Sequence, residues 1–142
     1  MEKIAIKRSI WIAAPRERVW QAVTDPAQIA QWFAPGTTFS QNGNTISVRM
    51  GETDVEVAVI ELFDPPRQIT TRHLPDRLIA TTYTLEEEHG GTRFTVTETG
   101  FESLSEDARK ERLDQNGKGW EMALENLKAY IDGRNLPRPE GF

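Results

Sequence analysis

Cysteine is absent from the 142 residues, so disulfides, thiolate metal sites and thiol nucleophiles are all excluded and the fold stands on packing alone. Missing too is any apolar run approaching the ~20 residues that cross a bilayer. The opening Met1 to Lys7 alternates charged with aliphatic side chains, where a secretory leader needs an unbroken apolar stretch. The reading is therefore of an intracellular, cytoplasmic chain without a membrane partner. Basic blocks are lacking: 17 Lys and Arg stand against 22 Asp and Glu, and the formal net charge of -5 opposes phosphate backbones, so no nucleic acid is expected. Histidine is scarce, with only His73 and His89, and no two lie at metal-ligand spacing. No glycine loop suits a phosphate and no serine sits in a nucleophile elbow, so neither a metal nor a cofactor is expected. Glu86-Glu87-Glu88 reads as a solvated strand end.

The length suits one domain, residues 1–142, with enough chain to bury a core. From Lys3 to Ala13 the isoleucines Ile4, Ile6, Ile10 and Ile12 alternate with polar residues, the period of a half-buried strand, and Arg8 falls on their face. Pro15 opens a short helix to about Thr24, and Asp25-Pro26 caps a second that carries Ile29, Trp32 and Phe33. From Thr37 to Thr99 turn signals recur about every ten residues. Between them lie β-rich runs: one near Phe39, then 46–50, 55–63, 68–73, 78–85 and 93–99, so that seven strands are expected in all. Ser103 with Glu106 makes a capping box for one long helix to about Asp132, with an apolar seam of Leu113, Gly117, Trp120, Leu124, Leu127 and Ile131. The proline-bearing tail, residues 135–142, is expected to be loosely held. Helices do not alternate with strands, so the sheet is antiparallel and the class α+β; only the last helix is long enough to cover its apolar face.

This order, together with Ile10-Trp11-Ile12-Ala13-Ala14-Pro15, Val19-Trp20, Thr24-Asp25-Pro26, Trp32-Phe33, Gly91-Thr92-Arg93-Phe94 and Gly119-Trp120, resembles the START-like helix-grip superfamily, also called SRPBCC. Within it the pattern is similar to the bacterial branch that resembles the C-terminal domain of the activator of the ninety-kilodalton heat-shock chaperone's ATPase. The resemblance implies a curved sheet gripping the last helix, with a cavity between them that in many relatives takes an apolar or aromatic molecule. Carried over residue by residue, it places Trp32 and Phe33 at the mouth and Trp120 on the helix. The same carry-over sets Phe39, Val48, Met50, Tyr83, Phe94 and Val96 along the concave wall. The same side chains also read as plain core, buried for about 1.5 to 3 kcal/mol each.

Polar candidates come from strand parity. Arg8 points inward with the isoleucines and Glu98 with Phe94 and Val96, on strands that the family pattern makes neighbours, so the two are expected to pair, as a structural ion pair or as an anchor for a ligand's polar end. His73 shares the parity of Ile69 and Thr71 and could serve as an acid or base beside Tyr83. Gly117 and Gly119 each cost the helix about 1 kcal/mol, which implies either close approach of a strand or room for a ligand. Trp11 and Tyr130 are expected off the buried faces, where an aromatic marks a partner or dimer surface or is an isolated surface residue.

The reading is a non-catalytic binder of a small apolar or aromatic molecule, with a homodimer and a chaperone partner left open. Two alternatives stand beside it: a co-chaperone-like or stress-associated interaction module with a closed cavity, and a cyclase- or hydrolase-type enzyme that uses the same cavity.

Overall fold

The alternating isoleucines form β1 (Ile6–Ile12), and the two short amphipathic segments form α1 (Arg16–Thr24) and α2 (Pro26–Trp32). The computed structural model describes residues 4–140, so Lys3, read as part of the first strand, lies outside them. Asp25 caps α2 by accepting from the Ala27 amide, and Pro26 occupies the first turn, where no amide hydrogen is needed. Six strands then form a meander: β2 (Phe39–Asn42), β3 (Thr45–Met50), β4 (Thr53–Asp64), β5 (Gln68–His73), β6 (Ala80–Glu88) and β7 (Gly91–Thr99). β1 pairs with β7, giving one antiparallel sheet in the order β1-β7-β6-β5-β4-β3-β2. The fold is thus the α+β helix-grip architecture expected from the sequence.

Two irregularities shape the sheet. The β3–β4 register shifts at Ile46/Ser47 and the β4–β5 register at Ile60/Leu62. Bulges of this kind bend a long strand and reverse the parity of the residues beyond them. Past the second one Phe63, not Leu62, lies opposite the inward-facing Ile69.

The long helix α3 (Glu106–Asp132) has its cap two residues later than expected. Phe101 is fully buried and anchors a single 3-10 turn, Phe101–Ser103, after which Leu104 is extended. Ser105 therefore takes the cap, its hydroxyl accepting from the Ala108 amide, and Ser103 does not. Gly133, in the left-handed conformation at φ 74°, ends the helix.

α3 packs against β1, burying Trp120, Leu124 and Leu127 with Phe94, Val96 and Ile12 in a solid core. Asn126, fully buried on the same helix face, donates to the carbonyls of Trp32 (3.1 Å) and Arg138 (2.9 Å) and accepts from the Arg138 amide (3.0 Å). The tail that the sequence leaves loose is thereby tied to the helix as far as Arg138, whose guanidinium also reaches Glu125 at 2.7 Å. Trp11 is accounted for inside the chain: its indole N–H donates to the Glu88 carbonyl at 2.7 Å and the Lys128 ammonium lies 5.6 Å from its ring centre. Gly91 leaves room for it, since a Cβ there would come within 2.7 Å of the ring. Tyr130 is half-buried against the core, with its hydroxyl directed to Gln28.

Candidate functional site

Residues paired across an antiparallel sheet share a face. Counting across from Arg8, Val96, Tyr83 and Ile69 fall on the concave side in one row, with Glu98, Thr81, Thr71 and Ile60 in the next. α3 packs along that side against β1. Towards β3, β4 and β5 the space is left hollow.

The hollow has two adjoining lobes that share Phe33, Thr71, Thr81 and Tyr83 as walls. One, of about 230 Å³, lies under α2 and is mainly apolar, bounded by Ile29, Phe39, Ile46, Ile60, Phe63 and Ile69. The other, of about 550 Å³, lies beside α3 and mixes Trp120 and Gly119 with His73, Glu98, Gln115 and Asn116. Phe33, Tyr83 and Trp120 form an aromatic divider: the Trp120 ring centre lies 5.8 Å from that of Phe33 and 5.9 Å, edge-on, from that of Tyr83. The spacing is that of favourable tilted aromatic pairs. At Gly119 a Cβ would meet nothing within 4 Å, so the missing side chain opens the second lobe. Gly117 has the other explanation: a Cβ there would lie 2.7 Å from the Arg8 guanidinium.

The polar wall is a connected chain. Glu98, only 3 % exposed, accepts from the Thr81 hydroxyl at 2.9 Å on one oxygen and from the Asn116 amide at 3.2 Å on the other. His73 Nε2 sits 2.8 Å from the Thr81 hydroxyl and 3.9 Å from the carboxylate. Thr81 has one proton and gives it to Glu98, so Nε2 must donate to Thr81 and, in the neutral ring, Nδ1 is the acceptor. Burial pushes the His73 pKa below its ordinary 6.5; Glu98 opposes this, Arg112 adds to it, and Asp76 and Arg72 act more weakly in opposite senses. Burial, assisted by Glu98, drives the Tyr83 phenol well above its usual value. Tyr83 thus stays protonated, and its hydroxyl bonds no other described residue.

Of the residues the sequence proposed, Phe33, Phe39, His73, Tyr83, Glu98 and Trp120 line the hollow. Trp32 does not stand at the mouth: it is fully buried, its indole N–H bonded to the Ala22 carbonyl at 2.8 Å, and it meets Phe33 edge-on from behind. Phe94 and Val96 have the right parity but are sealed with no exposure at all, in a core that residues of both α1 and α3 complete. Val48 and Met50 share the face of Phe39 yet lie past the cover, and Met50 is 61 % exposed. The expected Arg8–Glu98 pair does not form. Arg8 reaches Glu121 at 3.2 Å over the gap left by Gly117, while Glu98 accepts one hydrogen bond each from Thr81 and Asn116. Sequence reasoning missed Thr81, Asn116, Ile46, Ile60 and Phe63. Thr81 was within reach of parity, two residues from Tyr83, whereas Phe63 was hidden by the bulge.

The profile of the family described as Activator of Hsp90 ATPase homolog 1-like protein matches residues 13–132. No curated protein matches the sequence significantly. Among solved structures, the Aha1 dimer from Colwellia psychrerythraea, determined in solution, superposes with a TM-score of 0.72 at 18 % identity over 90 % of this chain and 96 % of that one. The protein SSP2350 from Staphylococcus saprophyticus gives 0.72 at 25 % identity over 93 % and 95 % of the two chains. DynU16, from the dynemicin biosynthetic locus, gives 0.73 at 21 % identity over 99 % of this chain but 51 % of its own. The profile covers most of the chain and the folds agree throughout, so this protein belongs to the Activator of Hsp90 ATPase homolog 1-like family.

Proposed function

We propose that the chain binds a small, mainly apolar or aromatic molecule in the two-lobed hollow and does not transform it. The observation that carries this reading is the hollow itself: an apolar lobe walled by Phe33, Phe39, Ile60 and Tyr83 adjoins a second lobe whose polar groups converge on Glu98. Apolar walls with a few placed polar groups are the usual make-up of a small-molecule site. The likeness to DynU16, which belongs to a biosynthetic locus, is in keeping with a small-molecule ligand.

Tryptophan fluorescence titrated with a panel of neutral aromatic and apolar compounds tests it, because Trp120 forms part of the divider. Saturable quenching in the wild type that is absent in Trp120→Phe supports the reading. No response from any compound, with none in calorimetry, contradicts it.

One observation favours a second reading, an enzyme of cyclase or hydrolase type. His73 is held neutral with Nδ1 available as a base. Turnover of an identified ligand that survives His73→Ala unchanged would rule out that use. The interaction-module reading expected a closed cavity, and the open one weighs against it. A homodimer, as in the Colwellia relative, and a chaperone partner are proposals that sedimentation, alone and with the chaperone, would test.

A further inference from the structure

Glu98 presents an imbalance. Its carboxylate is buried and accepts only two hydrogen bonds, both from neutral groups. No lysine or arginine pairs with it among the described residues; Arg8, the cation that strand parity aims at it, is engaged by Glu121 instead. His73 lies near it, but Thr81 stands between them and leaves 3.9 Å to the carboxylate. A buried carboxylate with spare lone pairs and no cation is an unfavourable arrangement that a positive partner would relieve.

The surroundings fit such a partner. The lobe that Glu98 lines has the aromatic side chains Trp120 and Tyr83 in its wall, and an aromatic ring attracts a cation placed over its face. Asn116 and Gln115 add side-chain carbonyls that can accept from a ligand N–H.

We propose that the polar lobe is a subsite for a protonated amine, whose ammonium sits against Glu98 between the aromatic walls while its apolar body extends into the lobe beneath α2. This rests on the ligand-binding reading above and names the chemical class of ligand: an amphiphilic amine with an aromatic or aliphatic body. Contact with the carboxylate is direct for the ligand, where the imidazole reaches it only through Thr81.

Calorimetry with tryptamine and tryptophol tests the charge separately from the fit, since the two differ only in ammonium against hydroxyl. Near neutral pH the wild type is expected to bind tryptamine about tenfold or more tightly than tryptophol, the scale of a charge-assisted hydrogen bond. Glu98→Gln is expected to abolish the preference, so that tryptamine and tryptophol bind that variant equally. Should that variant fail to fold, the wild-type comparison decides alone. Tryptamine binding no tighter than tryptophol, with neutral aromatics still bound, overturns the amine subsite and leaves the cavity reading in place. If neither these two nor any neutral compound binds, the cavity reading fails and the subsite with it.

Discussion

The two halves of the concave face begin from the same sequence pattern and end differently. On β1 and β7 the inward residues Ile6, Ile12, Phe94 and Val96 pack into the core with side chains of α1 and α3 and are almost wholly removed from solvent. On β3 to β5 the inward residues Ile46, Ile60, Thr71 and Phe63 face an unfilled space, and Phe63 is 58 % exposed. Alternation alone makes an apolar face; whether that face becomes core or cavity depends on where the covering helix runs. One half therefore supplies stability, and the other is free to hold something else.

The same truncation in each half gives the largest contrast. Phe94→Ala, in the filled half, is expected to lower unfolding free energy by about 3–5 kcal/mol. Phe63→Ala, whose ring is mostly exposed and meets Trp20 at 5.7 Å, is expected to cost about 1 kcal/mol or less, and urea unfolding of the two variants measures both. Comparable losses would erase the distinction between the halves. Next in size is Asn126→Ala, which strips the Trp32 carbonyl and the tail of their partner; a loss of about 1–3 kcal/mol is expected, with faster amide exchange at Arg138.

Glycine substitutions sharpen the comparison on the helix itself. Gly119→Ala adds a methyl to open space and restores helix propensity, so a gain of about 1 kcal/mol is expected. Gly117→Ala gains less, because the Arg8 guanidinium must leave its place beside Glu121, an exposed pair worth roughly 0–1 kcal/mol. Thermal melts of the two variants rank them.

The smallest effect concerns pH. His73 titrates at about 6.5 when unfolded and lower when folded, so between those values the unfolded chain holds the extra proton. Its contribution to stability is therefore complete above 6.5 and is lost as pH falls through the folded value. Denaturation midpoints across that range should drop more steeply for the wild type than for His73→Gln; parallel curves would show that the ring is not held neutral.

Much of this was legible in the sequence, for physical reasons. Alternation and turn chemistry are local, so the strand Gln68–His73 and the Asp25 cap were placed as observed. Parity also brought Tyr83, His73 and Glu98 to the correct face. The features that escaped depend on distant parts of the chain. The bulge at Ile60/Leu62 exchanged Leu62 for Phe63, and the burial of Phe101 moved the helix cap from Ser103 to Ser105. The cover that α1 and α3 together provide sealed Phe94 and Val96 while leaving Met50 in solvent. Arg8 obeyed parity and turned inward, but Gly117 and Glu121 on another element decided its partner.

Chemical-shift mapping during titration of the full chain with an aromatic ligand addresses the hollow half most directly. Saturable shifts should gather at Phe33, Ile60, Thr81, Tyr83 and Gly119, while Phe94, Val96 and Leu127 in the filled half stay still. Shifts confined to the convex face, or none at saturating ligand, would contradict the assignment of the hollow as the binding site.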